Sequence, residues 1–246
     1  MKDWLSGNMG AVGEFQYQAL HLWSTAVVLI VLAAVLCFGA NKRLSSNVKQ
    51  RLLKGICWFQ LGFELLWRLV YVLVNGSHIS CWWPLYPCNL GGILIPIIAL
   101  ADWKPGKKLF YLFGFVGGVI TFAIPEGIFC RDVLSFPILK SILQHTGLLL
   151  IPGLEFAAGR WRPTVKDLGW VIAGGLVHIL NSEGITRLLG FTGDYMYFRS
   201  GLPFVIPGVP QFITLTVFAL LVLTTLSVLS DLTAKKRTAY EVNPKV

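Results

Sequence analysis

Apolar residues fall in long runs along this chain. Runs at about 20–40, 55–75, 82–101, 108–125, 137–158, 168–190 and 204–230 each approach the roughly 20 apolar residues that let a helix cross a bilayer. Period-2 alternation is absent, so a membrane β-barrel is not predicted. The pattern predicts an all-α polytopic membrane protein, a bundle of about seven transmembrane helices forming a single integral domain over residues 1–246. The first run lies behind Asp3 and Glu14 with no small-residue cleavage site after it, so it is expected to be retained rather than removed as a signal peptide.

Composition agrees with the pattern: 55% of the 246 residues are apolar, 13% are charged, and the mean hydropathy is +0.66. A soluble or disordered chain carries about twice that charged fraction. The connections between runs are too short to bury a core of their own. The formal charge of +9 is informative through its distribution. Lys42, Arg43, Lys49, Arg51 and Lys54 follow the first run; Lys104, Lys107 and Lys108 follow the third; Arg160, Arg162 and Lys166 follow the fifth; Lys235, Lys236, Arg237 and Lys245 form the tail. These alternate segments predict an N-terminus outside and a C-terminus in the cytoplasm. The basic charge is therefore assigned to orientation and to anionic lipid head groups, not to nucleic acid.

Ionisable groups inside apolar runs are costly and become candidates for function. Glu64 and Arg68, four apart, share a helical face and are expected to pair. Glu155 lies near the inner end of the fifth run, where it is expected to reach the interface. His178 and Asn181 share a face of the sixth run, with Glu183 further out. Gly114, Gly117 and Gly118 form a small-residue face suited to helix contact. Cys81 and Cys130 fall in connections on the same side, where a disulfide is possible. The five cysteines show no paired metal-ligand spacing, and neither a metal nor a dissociable cofactor is predicted.

The segment Trp82-Trp83-Pro84-Leu85-Tyr86-Pro87-Cys88-Asn89 carries the sharpest signal. Proline is favoured at the first turn of a helix and disfavoured within it, so the regular helix is expected to begin at or just before Cys88. A thiol at a helix N-terminus meets free N–H groups and the positive end of the helix dipole. Asn89 is a candidate hydrogen-bond donor to an oxyanion there. His145, at a matching depth on the fifth run, is the candidate general base, since Cys with His is a recurring arrangement for acyl transfer through a thioester. The residue types alone also permit plain packing roles for both.

Pro84-Leu85-Tyr86-Pro87-Cys88-Asn89-Leu90, His145, and Asp194-Tyr195-Met196-Tyr197-Phe198 with Pro203 resemble the YwaF-type bacterial integral membrane proteins, relatives of eukaryotic transmembrane protein 164. The resemblance covers most of the chain. It implies a membrane-embedded acyltransferase in a bacterial plasma membrane, with the Cys and His of the eukaryotic transacylase mapping onto Cys88 and His145. This chain departs from the family pattern in carrying Tyr86 where a His is common and Asp194 where an Asn is common.

Three readings follow. In the first, Cys88 attacks an acyl ester of a phospholipid held in an outward-facing cavity between the second, third, fifth and sixth spans. His145 serves as base and then acid, Asn89 holds the oxyanion, and a lyso-phospholipid accepts the acyl chain. His178, Asn181, Glu64, Arg68, Arg187, Arg199 and Tyr195 would bind substrate. In the second, the chain is a non-catalytic binder or transporter of a small or lipidic solute, with Glu64, Arg68, His178 and Asn181 as its site. An assembly or anchoring subunit without a site is the third possibility.

Overall fold

The structure is a computed structural model, and it describes residues 4–5, 17–125, 128–129, 132–198 and 206–242, with side chains as far as residue 234. The described residues form helices and connecting turns, with no strand among them. Among the described residues the longer helices run in the order α1 (Ala19–Ala40), α2 (Ser46–Asn75), α3 (Pro87–Leu100), α4 (Lys104–Ala123), α5 (Phe136–Ala157), α6 (Val165–Leu188) and α7 (Gln211–Val242). Among the described residues five are long and apolar enough to cross a membrane: α1, α2, α4, α6 and the Gln211–Ala234 part of α7.

The ends of the helices follow local chemistry. Ser45 caps α2, its hydroxyl accepting from the Val48 N–H at 3.4 Å, so this helix begins nine residues before the apolar run that marks it. Proline occupies the first turn of α3, α4 and α5, where the missing N–H costs nothing and the fixed φ is already helical. Between α3 and α4 the chain reverses at Asp102, which adopts a φ of 48°, a left-handed conformation that Asp tolerates better than most residues. Helix α6 opens with a 3-10 turn at Val165–Asp167 and loosens into a π-helical turn at Leu180–Ile185.

Helix α5 is the centre of the bundle and packs against α1, α2, α3 and α4. It is buried along most of its length, and despite its 22 residues its polar side chains keep it from being among the five. Lys140, Gln144, His145 and Glu155 lower its hydropathy, but they face other helices rather than lipid, the arrangement polar groups require inside a membrane. Two apolar clusters meet on it. Leu148, Ile151 and Leu154 join Leu53 and Cys57 of α2, Ile95 and Ile98 of α3, and Phe110 and Tyr111 of α4. Ile138, Ile142 and Leu149 join Val28 of α1 and Phe122 of α4. The outer helices turn large apolar side chains outward, Trp23 at 73% and Ile30 at 69% exposure. A water-soluble protein would not leave such a surface uncovered.

Small residues set the close approaches. A Cβ on Gly114 would lie 2.3 Å from Ile95 Cδ1, and one on Gly118 would lie 2.9 Å from Leu149 and 3.2 Å from the His145 carbonyl oxygen. Gly117 has nothing within 4 Å, so the small-residue face consists of Gly114 and Gly118, one turn apart. The tightest contact joins α4 and α6, where a Cβ on Gly174 would stand 1.9 Å from the Leu109 carbonyl oxygen.

Candidate functional site

With 14 residues, α3 extends only about 20 Å and leaves the chain before it irregular: one helical turn at Ile79–Trp82, then extended backbone to Tyr86. Irregular backbone at membrane depth must find donors for its freed carbonyls within the protein. Two buried side chains supply them. Arg68 of α2 donates through Nη1 to the Cys81 carbonyl at 3.0 Å and to the Trp82 carbonyl, and Asn181 of α6 donates to the Pro84 carbonyl at 2.6 Å. Asn181 lies on the π-helical turn. The segment leading into Cys88 is thereby held from both sides.

Helix α3 starts at Pro87, which puts Cys88 and Asn89 on its first turn. The Cys88 thiol points to Asn89 Oδ1 at 3.9 Å. The same oxygen accepts from Lys140 Nζ of α5 at 2.8 Å, so a thiol and an ammonium converge on one acceptor. Lys140 Nζ also stands 3.7 Å from Glu64 Oε2, while Glu64 Oε1 is bound by Arg68 Nη2 at 2.7 Å. Glu64 and Arg68 thus make the ion pair their spacing implies, and Lys140 joins it from another helix. Lys140 lies over the ring of Trp67, 5.8 Å from its centroid. Glu64, Arg68 and Lys140 are all buried: two basic side chains to one carboxylate, next to a thiol.

One turn along α5 from Lys140, Gln144 faces α3. A Cβ on Gly92, which shares a helical face with Cys88, would lie 3.0 Å from Gln144 Cγ and Nε2. Gln144 is 2% exposed and its Nε2 has no hydrogen-bond partner among the described residues. A buried, unsatisfied amide donor costs about 1–3 kcal/mol, and in a native structure such a group calls for an explanation.

His145 lies next to this face of α5. Its Nδ1 is 2.7 Å from the Ser141 carbonyl oxygen, which can only accept, so Nδ1 carries the proton and Nε2 keeps its lone pair. The ring stands edge-on to Phe122 of α4, with centroids 6.5 Å apart. No hydrogen bond joins His145 to Cys88 among the described residues; each has the neighbours given above.

The remaining candidates are distributed around the bundle. The His178 ring stacks on Phe113 at 4.6 Å and meets Phe110 edge-on at 5.6 Å. Arg187 pairs with Glu183 on its own helix at 2.9 Å. Tyr195 packs edge-on against Tyr86 at 5.2 Å, and Tyr197 lies 6.5 Å from the same ring. Asp194 Oδ1 accepts from the Phe198 N–H at 2.8 Å. Cys81 is a buried free thiol pointing at the Gly76 carbonyl; Cys130, with which a disulfide is possible by sequence, and Arg199 lie outside the described residues. Glu155 does not reach an interface: it is fully buried and held by Lys107 Nζ at 2.6 Å. Among the described residues no three His, Cys, Asp or Glu side chains gather as a metal site would require.

Sequence reasoning passed over Lys140 and Gln144. Lys140 carried a usable signal, since it is a charge inside an apolar run. Gln144 carried none, because only the approach of α3 at Gly92 makes its amide an orphan.

Comparison with known proteins adds a family. No curated protein and no solved structure matches the chain. The TMEM164 family model matches residues 15–228, which includes the first turn of α3, all of α5 and the π-helical turn of α6. The resemblance carried by the Pro84–Leu90 motif is borne out, and the chain is a membrane protein of the TMEM164 family.

Proposed function

We propose that this protein is a membrane-embedded acyltransferase that moves fatty acyl chains between phospholipids through a thioester on Cys88. The observation that carries this reading is the face of α5 that presents Lys140 to Asn89, beside the Cys88 thiol, and the unpartnered Gln144 amide to Gly92, one turn further along α3. The two basic side chains of the Glu64, Arg68 and Lys140 cluster favour a negative charge beside them, first on sulfur and then on the carbonyl oxygen of a tetrahedral intermediate. Orphan donors that await an oxyanion have this form: unsatisfied in the resting protein and rigidly placed.

In the reaction, the Cys88 sulfur attacks the ester carbonyl carbon, the C–S bond forms and the C–O bond to the glycerol breaks. The thiol proton passes to His145 Nε2 and then to the departing glycerol oxygen, releasing a lyso-phospholipid. A second lyso-phospholipid hydroxyl loses its proton to the same nitrogen, attacks the thioester and takes the acyl chain, and sulfur recovers the proton. Asn89, whose oxygen accepts from both thiol and Lys140, orients the pair. In this reading the chain crosses the membrane seven times with the N-terminus outside, as the alternation of basic connections suggests, and Cys88 serves the outer leaflet. Helices α3 and α5 complete the seven: α3 together with the held segment before it, α5 within the ring of its neighbours.

The test is intact-protein mass spectrometry after incubation with mixed phospholipids, on wild type, Cys88→Ser and His145→Ala. An acyl-sized mass on wild type, removed by hydroxylamine and missing from Cys88→Ser, is the expected result. An unmodified wild type that also shows no lipid turnover overturns the reading and leaves a binder or transporter.

A further inference from the structure

At the end of α3 opposite Cys88, the turn into α4 and the turn from α5 into α6 enclose a cleft of about 350 Å³, within the size range of ligand pockets. Five cations line it, Lys104, Lys107, Lys108, Arg160 and Arg162, against two carboxylates, Asp102 and Asp167. The carboxylates are engaged. Lys107 binds Asp102 and the buried Glu155, Lys108 binds Asp167 at 2.8 Å, and Arg160 Nη2 lies 3.5 Å from Glu155 and 3.7 Å from Asp102. The Lys107 ammonium beside Asp102 holds its carboxyl below the usual carboxylate range, so this pairing persists into acid. Lys104 and Arg162 pair with no carboxylate among the described residues; Arg162 donates only to the hydroxyls of Ser230 and Thr233.

The helix that opens onto this cleft is charged against its own dipole. The first turns of α4 carry Lys104, Lys107 and Lys108, no acidic residue lies in its first turn, and no side chain caps its N–H groups. A helix N-terminus holds about half a positive charge and favours anions; Asp102, Glu155 and Asp167 offset Lys107 and Lys108 there, while Lys104 adds a charge that no carboxylate among the described residues pairs. The positive helix end, the unpaired Lys104 and Arg162 and the concave cleft together suit a compact anion with several acceptor oxygens.

We propose that this cleft binds a phosphate group, carried by an anionic lipid head group or by a soluble phosphate, at a site separate from Cys88. The experiment uses the full chain purified in detergent. Native mass spectrometry follows retention of phosphatidylglycerol against phosphatidylcholine, and thermal unfolding is followed with and without millimolar inorganic phosphate. The variants are Lys104→Gln and Arg162→Gln, which strand no buried carboxylate, and the control is the exposed Lys42→Gln in another connection. Preferential retention of phosphatidylglycerol that falls roughly tenfold in the paired variant but not in the control supports the site with a lipid source. Stabilisation by inorganic phosphate, lost in the same variant, supports it with a soluble source. Neither ligand bound by wild type, or equal loss in the control, overturns the proposal.

Discussion

Gln144→Met isolates the chemistry proposed for α5. Methionine keeps the length and flexibility of glutamine, so the contact that Gly92 makes with the side chain survives, and only the polar atoms leave. Because Gln144 Nε2 is buried without a partner, its removal relieves a desolvation cost of about 1–3 kcal/mol. A volume-conserving swap in a packed core costs less than about 1.5 kcal/mol, so the expected net effect runs from neutral to a gain of about 1–2 kcal/mol. For a chain of this length that is a rise in Tm of up to roughly 4–8 °C. Losing one oxyanion donor costs catalysis about 10²–10³-fold. Stability and activity are thus expected to move in opposite directions, a signature that a structural glutamine does not give. The assay pairs thermal unfolding in detergent with single-turnover acyl transfer from a labelled phospholipid. A variant that loses stability and activity together, or that keeps full activity, would refute the reasoning.

Three other substitutions test neighbouring parts of the argument. Lys140→Met removes the ammonium that Asn89 and Glu64 share, and acyl transfer is expected to fall by about 10²-fold, with Lys140→Arg recovering part of it; equal rates in all three proteins would remove Lys140 from the mechanism. Lys107→Met leaves Glu155 buried with only Arg160 at 3.5 Å, and breaking such a pair costs about 3–5 kcal/mol. Adding Glu155→Leu is expected to restore most of that loss in a chemical unfolding series, and a double variant weaker than the single would contradict the account. Gly174→Val puts side-chain atoms where the Leu109 backbone already stands, at an expected cost of at least about 1–3 kcal/mol; an unchanged melting temperature would mean that α4 and α6 are not held as described.

The family match and the membrane character were legible because both rest on local features. A stretch without charge such as Ala19–Ala40 has no favourable place in water, whatever it packs against. Proline at the start of α3 dictates that the helix begins there, since the ring suits only the first turn. The pairing of Glu64 with Arg68 was equally readable, because 3.6 residues per turn brings positions four apart onto one face.

What lay beyond the sequence is the set of contacts between faces of different helices. Periodicity states which side of a helix is apolar but not which neighbour covers it. Lys140 meets Asn89 across 51 positions and Asn181 meets Pro84 across 97. Close approach at Gly91, Gly92, Gly114 and Gly118 sets α3, α4 and α5 against one another and decides that Lys140 and Gln144 face α3. The same packing turns His145 toward Phe122 and makes α5 the covered centre of the bundle. Local chemistry therefore determined the helices, their starts and their medium, because those depend on solvation and backbone sterics along the chain. Only tertiary packing decided which polar groups share a buried cluster, because that depends on the shapes by which distant helices close on one another.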